Sequence, residues 1–519
     1  MTFDDLLNEF HIMQDFPPSV KKWEETIPQK VDKEDLKDRV DLTDKLIFTI
    51  DGDDAKDFDD AVSLEILENG NYYLGVHIAD VSNYVEEESA VDRTALARGT
   101  SIYLIDTVVP MLPFGLSNEL CSLRPQKIRL TVSVFMEISK QGKIVDYKIC
   151  TSFIKSKARM TYTKVTKILE GDAKLVEKYK DLEPTLKSMR ELAEILKKRR
   201  VCKGSIEFET YESLIKLDKS GAPTKVEKYP ITISNNIIEE FMLCANVTVA
   251  KHLTALKLPC VYRVHEEPDF DRVERLAKVL PELGVSFRFK PDMKPKDFQQ
   301  ILHSAENLET SGVVNYLVLR SMSRAKYSEK NQGHFGLSFS HYCHFTSPIR
   351  RYPDVIVHRI LKESLKGELS QKRIIYFKEA VLAAAVLSSL NEANAASAEF
   401  KWKDIKKAEY ISNHIGEKYQ ATITHIIGSG FFAQLDNTVE GFVPARTLED
   451  DMYSMTENGL SMIGRRTNRK FTIGDKVEIK VAAVDLADGK VDFEVVGTRV
   501  LKPLRHRRKK NRNKRRKNK

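Results

Sequence analysis

A cluster of aspartates between two apolar segments is the feature that most restricts how this 519-residue chain can fold. Six of the ten residues from Asp51 to Asp60 are aspartate, and Lys56 is the single cation among them. The segments "KLIFTI" (45–50) before the cluster and "AVSLEIL" (61–67) after it have the apolar pattern of β-strands. Two carboxylates about 4 Å apart repel each other by roughly 4 kcal/mol at an effective dielectric of about 20. The folded chain must therefore offset this repulsion.

A solvated loop and a metal site are the two interpretations of the cluster. In a solvated loop, water and salt offset the repulsion, whereas beside apolar walls a divalent cation is the natural counter-charge. An EF-hand is excluded, because Lys56 occupies the position of its invariant glycine and Val62 that of its terminal glutamate. A turn at Gly52 would gather four carboxylates around one point, which favours Mg²⁺ or Mn²⁺ over zinc. These are Asp51, Asp57, Asp59 and Asp60.

The composition, with 42% hydrophobic and 30% charged residues, is that of a soluble globular protein long enough for two or more domains. The longest apolar run (380–390) is too short to span a bilayer, so we expect a buried helix and no membrane association. The first ten residues contain no secretory signal. Because the six cysteines form no CxxC pair, the pattern predicts reduced thiols in the cytoplasm rather than a zinc site.

The net charge of +8 is concentrated at the C-terminus, where residues 502–519 contain twelve Lys or Arg and no acid. Taking those twelve charges from +8 leaves −4 on the rest of the chain. Such a tail cannot bury itself, and we expect it to be disordered. It is either a solubility tail or an arm that binds phosphates without sequence specificity, and the second interpretation is favoured.

The order of segments predicts a mixed body followed by a small barrel. Residues 45–165 are rich in strand patterns, and 234–253 has helical spacing with asparagine caps. A long helix is predicted over 374–411. From 416 to about 496, short strands separated by Gly and Asn turns indicate an antiparallel barrel. The fold class is therefore α+β, with a mixed α/β domain before an all-β OB-type domain.

A pair of arginines, Arg350 and Arg351, follows a proline and precedes a helical pattern. The pair either bridges helix carbonyls or acids in a structural role, or forms a guanidinium fork for a phosphate. Considered alone, the pair does not decide between these roles.

The acidic cluster and the arginine pair together resemble the ribonuclease II/R family. Six segments support the resemblance, in the family's order: "IDGDDAKDFDDAV" (50–62), "GVHIADVSNYV" (75–85), "RGTSIYLIDTVVPMLPFGLSNELCSLRP" (98–125), "GSIEFE" (204–209), "YRVHEEP" (262–268) and "HFTSPIRRYPDVIVHR" (344–359). The resemblance implies a processive, metal-dependent exoribonuclease that hydrolyses single-stranded RNA from its 3′ end to 5′-nucleoside monophosphates. A catalytically silent RNA-binding protein and a structural cation-binding protein are the alternatives.

The resemblance also implies roles for individual residues. Asp51, Asp57 and Asp60 would bind Mg²⁺ or Mn²⁺, and Asp59 would shape the metal site or orient the attacking water. Arg350 would hold the scissile phosphate, and Arg351 would contact the backbone or the substrate. No role is expected for the two remaining aspartates of the cluster.

Aromatic residues are expected to stack on bases, because every base offers a π-face. The resemblance implies that Tyr103 and Phe208 clamp the terminal bases and that Glu399 lies near the active site. In the barrel, Phe432 is retained for RNA, whereas Ser429 replaces an aromatic residue. His77 and His344 are instead expected to be core residues.

The expected domains are a lead segment at 1–40, a catalytic RNB-type domain at 41–412, an OB-type RNA-binding domain at 416–496 and the basic tail at 500–519. The family's cold-shock-type barrels have no room ahead of the catalytic domain, so a trimmed or naturally short form is expected. The expected partners are the 3′ end of single-stranded RNA and, through the tail, structured RNA or the ribosome. We expect a monomer.

Overall fold

The computed structural model describes residues 1–208, 211–367 and 369–497. The basic tail predicted at 500–519 lies outside the described residues. The chain divides into two compact units, one from Met1 to Lys406 and a second that begins at Lys407. The first unit mixes helices and strands and the second is mainly strands, as the α+β prediction requires.

The helices of the described residues lie mostly in the first unit. In chain order they are α1 Phe3–Glu9, α2 Pro18–Glu24, α3 Ala90–Arg98, α4 Tyr162–Leu169, α5 Ala173–Lys178, α6 Glu183–Lys203, α7 Ile233–Ala255, α8 Phe270–Val279, α9 Pro295–Ala305, α10 Ser311–Ser321, α11 Tyr352–Lys366 and α12 Gln371–Ser412. The N-cap of α7 is Thr232 rather than an asparagine, and Asn235 accepts a hydrogen bond from the Thr232 backbone N–H. Asparagine thus completes a capping box instead of occupying the cap.

The strands occur in both units. Those of the first unit are β1 Val40–Asp41, β2 Thr49–Asp51, β3 Asp60–Ile66, β4 Tyr72–Ala79, β5 Ile102–Tyr103, β6 Val108–Val109, β7 Ile128–Ile138, β8 Ile144–Lys155, β9 Arg159–Thr161, β10 Ser213–Leu217, β11 Pro223–Lys228, β12 Tyr262–Val264 and β13 Lys326–Ser328. Those of the second are β14 Lys418–Ile427, β15 Gly430–Leu435, β16 Glu440–Pro444, β17 Tyr453–Met455, β18 Ser461–Gly464, β19 Lys470–Thr472, β20 Lys476–Asp485 and β21 Lys490–Val495.

The first unit is built around a five-stranded sheet with the order β1-β8-β7-β4-β3. All of its pairs are antiparallel except β1 with β8. Strands β4 and β7 are buried at nearly every position, so both faces of the sheet are covered. Strand β2 pairs with β9 outside this sheet, and it delivers the aspartate cluster to one end of the core.

Helix α12 packs only one face into the core of the first unit. Val381, Ala384 and Ala385 are buried in that core, whereas Leu382 and Leu390 are exposed. The prediction of a buried helix over 380–390 is therefore wrong for one face, because helical periodicity places these leucines away from the sheet. Among the described residues, α12 is the one helix whose length and mean hydropathy, 1.4 over its most apolar stretch, would allow it to cross a membrane.

The second unit contains a closed five-stranded barrel in which β14 pairs with both β15 and β20. Strands β16 and β21 close it through a parallel contact. Gly430 is required where β15 pairs with β16, because a Cβ atom at this position would lie 2.1 Å from the Val443 carbonyl oxygen. The barrel is the predicted OB-type domain, and a small sheet of β17, β18 and β19 accompanies it.

A buried carboxylate ties the sheet to two neighbouring segments of the first unit. Asp80, directly after β4, is fully buried, and it lies 2.7 Å from Arg39 Nη2 and 2.7 Å from Lys362 Nζ of α11. Burial alone would raise the pKa of Asp80, but the charges of Lys362 and Arg39 lower it well below its usual value. Its ionised form therefore stabilises the fold above about pH 4, and this contribution is lost as the pH falls through the lowered pKa.

Asp80→Asn is expected to destabilise the first unit by about 3–5 kcal/mol at pH 7, because it leaves two buried cations without their counter-charge. Tryptophan fluorescence during urea unfolding reports on this unit, since Trp23 and Trp402 both lie in it. The variant should also lose part of the acid sensitivity below about pH 4. Asp146→Asn, at an exposed site, is the control and should change stability by less than about 0.5 kcal/mol. Equal unfolding midpoints for the two variants would contradict the prediction.

Candidate active site

The aspartate cluster lies in the connection between β2, which ends at Asp51, and β3, which begins at Asp60. Ser122 holds this connection in place: its Oγ accepts a hydrogen bond from the Phe58 N–H at 3.1 Å and donates one to the Lys56 carbonyl at 2.7 Å. Phe58 itself is buried in the core. The apolar residue inside the acidic segment thus anchors the connection.

Four aspartates and two arginines line a single cavity of about 290 Å³: Asp51, Asp57, Asp59, Asp60, Arg350 and Arg351. The arginines come from the segment just before α11, far along the chain from the acids. The structure thus brings the acidic cluster and the arginine pair to the same cavity. The cluster is not a fully solvated loop, although Asp53 and Asp54 are exposed.

Asp59 is the most constrained acid of the cavity. Its side chain is buried, and Oδ1 accepts a hydrogen bond from the Ile349 N–H at 2.8 Å. Oδ2 lies 3.6 Å from Arg350 Nε and has no hydrogen-bond partner. One oxygen is therefore fixed by the backbone of the arginine segment, and the other faces the cavity.

Three carboxylate oxygens of the acidic cluster are buried without a hydrogen-bond partner, namely Oδ2 of Asp51, Asp59 and Asp60. Burial raises the pKa of Asp51 well above its usual value, and the charge of Asp60 raises it further. Burial also raises the pKa of Asp59 and of Asp60, against the opposing charge of Arg350. Buried acceptors without partners are costly, so this donor set suits a divalent cation.

The separation of the acids is relevant to what a metal site requires. Within residues 1–208, 211–367 and 369–497, no group of three or more His, Cys, Asp or Glu has an arrangement that could hold a metal ion. The observation that fits a metal is therefore the set of unpartnered buried oxygens.

The two arginines of the cavity differ in how tightly they are held. Arg351 Nη2 lies 2.7 Å from Asp354 Oδ2, and Asp354 is fully buried. Arg350 is about 43% exposed, and its Nη2 donates to Ser347 Oγ at 3.0 Å. Arg351 is thus bound to an acid of its own segment, as the structural alternative predicted, whereas Arg350 keeps donors available to the cavity.

Tyr103 connects the cavity to helix α12. Its hydroxyl donates to Asp57 Oδ2 at 2.6 Å, and its backbone N–H donates to Glu399 Oε1 at 2.9 Å. Burial raises the pKa of the Glu399 carboxyl. Tyr103 and Asp57 also line a neighbouring cavity of about 710 Å³. Glu399 therefore contacts Tyr103, and Tyr103 in turn contacts Asp57.

Other predicted residues lie apart from the acids. Phe208 is half-buried in the irregular segment after α6, and it is not among the described residues that line the acidic cavity. His77 is buried between Ser63 and Ser133, and burial lowers its pKa to about 3, which confirms it as a core residue. His344 is hydrogen-bonded to the Tyr327 hydroxyl, and its pKa is also lowered by burial.

Aromatic side chains of the neighbouring strands β14, β15 and β16 lie beside one another in the barrel. Phe431 is buried in the barrel core against Phe471, whereas Phe432 points to the opposite side of β15. The Phe432 ring lies 5.0 Å from that of Phe442 and 6.2 Å from that of His425. The sequence analysis missed both neighbours, although pairing of β15 with β14 and β16 places them beside Phe432.

The sequence analysis also missed polar residues that complete the acidic cavity, among them Ser347, which holds Arg350, and Asn246 of α7. Asn246 Oδ1 accepts a hydrogen bond from the Phe345 N–H at 2.8 Å. Ser347 lies within the quoted arginine segment, so its position could have indicated a role. Asn246 has no such signal, because it lies inside an apolar helical pattern.

An acidic cavity that contains a half-exposed arginine, in a unit followed by an OB-type barrel, is typical of the class of proteins that process nucleic acids. The RNB domain family matches residues 39–367, and the S1 RNA binding domain family matches residues 413–495. The RNB match alone covers more than half of the chain. The chain therefore belongs to the RNB family, within its ribonuclease R group, as the relatives below show.

Ribonuclease R of Thermotoga maritima is 44% identical over 486 residues, which are 93% of this chain and 68% of that protein. Ribonuclease R of Aquifex aeolicus is 42% identical over 96% of this chain and 70% of that protein. Ribonuclease R 1 of Lactococcus lactis is 42% identical over 94% of this chain, which spans only 60% of that protein. The chain thus spans about 60–70% of the length of these relatives.

Solved structures agree with this assignment. Mycoplasma genitalium RNase R in complex with ribose-methylated single-stranded RNA has a TM-score of 0.88 and 28% identity, over 95% of this chain and 77% of that one. The same protein with double-stranded RNA has a TM-score of 0.83 and 27% identity, over 95% and 82%. Yeast Ssd1, a pseudonuclease, shares the fold at a TM-score of 0.70 and 20% identity, over 89% and 58%. The fold alone therefore does not establish catalysis.

Proposed function

We propose that this chain is a metal-dependent exoribonuclease that degrades RNA from the 3′ end and releases 5′-nucleoside monophosphates. The observation that carries the proposal is the convergence of four aspartates and Arg350 on one cavity. A catalytically silent protein would have no chemical reason to keep three buried carboxylate oxygens without partners. The ribonuclease R relatives support the same activity.

The proposed cofactor is Mg²⁺, or Mn²⁺ in its place, held by Asp51, Asp57 and Asp60. Hard carboxylate oxygens with no His or Cys ligand favour these ions. When bound, such ions polarise the phosphoryl oxygens and generate the nucleophile. The unpartnered oxygens of Asp51 and Asp60 are the part of the site that fits the cofactor.

The chain's own residues would position the substrate and the water. Arg350 would bind the scissile phosphate through its guanidinium fork, and Asp59 Oδ2, which faces the cavity, would orient the attacking water. Water attacks the phosphorus, the P–O3′ bond breaks and the 3′ oxygen of the penultimate nucleotide leaves with a proton. The phosphate remains on the 5′ carbon of the released nucleotide.

Tyr103 would act both as a base platform and as a support for Asp57. Tyr103→Phe retains the ring but removes the 2.6 Å hydrogen bond to Asp57. We expect it to raise the Mg²⁺ concentration for half-maximal activity by about tenfold, as loss of such supporting contacts usually does. Tyr211→Phe, at an exposed tyrosine, is the control. An unchanged Mg²⁺ requirement in a magnesium titration of both variants would argue against the support role.

Roles in RNA binding, direct or through Tyr103, are proposed for Phe208, Arg351, Glu399 and Phe432. Phe208 would stack on a base, Arg351 would contact the RNA backbone and Glu399 would hold Tyr103. In the barrel, Phe432 would stack on RNA with Phe442 and His425 beside it. We further propose a cytoplasmic monomer whose basic tail binds structured RNA or the ribosome in a salt-dependent way.

One assay separates the proposal from its alternatives. Single-stranded RNA labelled at its 5′ end is incubated with Mg²⁺ or with a chelator, and the product lengths are resolved on a gel. Stepwise shortening of the labelled RNA to a small end product, in Mg²⁺ but not in the chelator, would support the exoribonuclease. Intact RNA with a gel shift would indicate a silent RNA-binding protein. Intact RNA without a shift would leave only a cation-binding protein.

A further inference from the structure

A second cavity, of about 280 Å³, lies beside α6 and α7 and differs from the acidic cavity in charge. Five cations line it, and Glu240 is its one acidic side chain. These cations are Lys143, Arg199, Arg200, Lys203 and Lys251. The volume is near the lower end of those common for small-molecule sites, about 300–1,000 Å³.

Four of these cations have no acidic partner among the described residues. Arg200 is paired with Glu240 at 2.6 Å, which accounts for the one acid of the cavity. Lys143, Arg199, Lys203 and Lys251 therefore have no counter-charge from the described residues, and all of them except Arg199 are exposed to solvent. Burial, together with the charges of Arg199 and Lys251, lowers the pKa of Lys203, as expected for cations held close together. An anionic ligand would relieve this repulsion.

Helix α7 separates this basic cavity from the acidic one. Leu243 lines both cavities, and Glu239 on the acidic side lies 3.8 Å from Arg200 on the basic side. The segment 338–342 borders both cavities as well, with Phe339 on the basic side and Tyr342 on the acidic side. The two cavities are thus immediate neighbours with opposite charge.

We propose that the basic cavity is a binding site for a nucleoside 5′-monophosphate, the product that leaves the acidic cavity. The proposal rests on the proposed function, which supplies this product. A phosphate monoester carries about −1.5 to −2 charges at pH 7, more than one linkage of RNA. Once the product has left the acidic cavity, the cations of the neighbouring basic cavity attract its phosphate.

The cavity also offers a surface for the nucleoside. Its wall includes the half-buried ring of Phe339 and apolar side chains of Leu196 and Val247. A base packed against Phe339 would be recognised without regard to its identity, as an enzyme that accepts every nucleotide requires. The phosphate would lie among the four free cations.

The test measures binding of 5′-AMP, adenosine and inorganic phosphate by calorimetry in a chelator, so that neither a metal nor catalysis contributes. The double variant Lys203→Ala/Lys251→Ala is expected to weaken 5′-AMP binding by about tenfold or more, since charge-assisted hydrogen bonds to phosphate are strong. Lys198→Ala is the matched control, because Lys198 is exposed on the same helix but does not line the cavity. Its affinity for 5′-AMP should equal that of the wild type. The concentration of 5′-AMP that half-inhibits RNA degradation should rank the variants in the same order as their affinities for 5′-AMP.

Three results would overturn the assignment. The first is unchanged 5′-AMP binding in the double variant. If that variant also binds RNA less tightly, the basic cavity contacts RNA rather than the released nucleotide. The second is that adenosine binds as tightly as 5′-AMP. The third is that inorganic phosphate binds as tightly as 5′-AMP. If the protein degrades no RNA but binds 5′-AMP through these lysines, the proposed function fails and the site stands.

Discussion

Asp59→Asn is expected to reduce the rate of RNA hydrolysis by about 10²–10³-fold or more, the usual effect of removing one group that stabilises or orients the reacting atoms. Asp59 is the acid whose geometry is best defined, with Oδ1 fixed by the Ile349 N–H and Oδ2 facing the cavity beside Arg350. Asparagine preserves the first contact and removes the charge that the second oxygen supplies. RNA affinity, measured by gel shift in a chelator, should remain within a few-fold of the wild type.

The same substitution should not destabilise the protein. Burial raises the pKa of Asp59, which means that the fold disfavours its ionised form. Removing a charge from this group of carboxylates lessens their repulsion, so the thermal midpoint in a chelator should stay equal or rise. Loss of activity together with equal or higher stability is typical of a residue kept for function rather than for folding.

Asp54→Asn is the matched control for Asp59→Asn. Asp54 belongs to the same acidic segment but is exposed, and it does not line the acidic cavity. Its substitution should leave the rate of hydrolysis within about twofold, because exposed charges interact weakly. A fully active Asp59→Asn variant would show that Asp59 has no role in hydrolysis, and an equally inactive Asp54→Asn variant would show that the cluster acts only through its total charge.

Arg350→Ala is expected to lower the single-turnover rate by about 10²–10³-fold, because it removes the half-exposed guanidinium that would bind the scissile phosphate. Arg350→Lys should restore only part of this loss, since an ammonium group lacks the fork that matches a phosphate. Because the side chain is about 43% exposed, the unfolding midpoint should change little.

The measurement for Arg350 is single-turnover degradation of 5′-labelled RNA at saturating Mg²⁺, with RNA affinity determined separately. Arg275→Ala, at an exposed arginine of α8, controls for the loss of one positive charge and should retain full activity. If Arg350→Ala lost only RNA affinity and kept its single-turnover rate, Arg350 would be a binding residue without a role in the chemical step.

Much of the fold could be predicted from local patterns. The strand patterns at 45–67 and the helical spacing of α7 depend on periodic burial, which neighbouring residues specify by themselves. Alternation within a strand likewise separates buried Phe431 from Phe432. The prediction for 380–390 was wrong for one face of α12, because an apolar run does not reveal which of its side chains meet a partner.

The sequence by itself determined which hard oxygen donors lie between the two strands, because the aspartates are adjacent along the chain. Tertiary structure alone decided which distant residues contact each other. Arg350 lies beside Asp59, and Tyr103 is hydrogen-bonded both to Asp57 and to Glu399. These contacts join residues from 46 to 296 positions apart. Local propensity carries no information over such separations, since only the packing of the core brings these segments together.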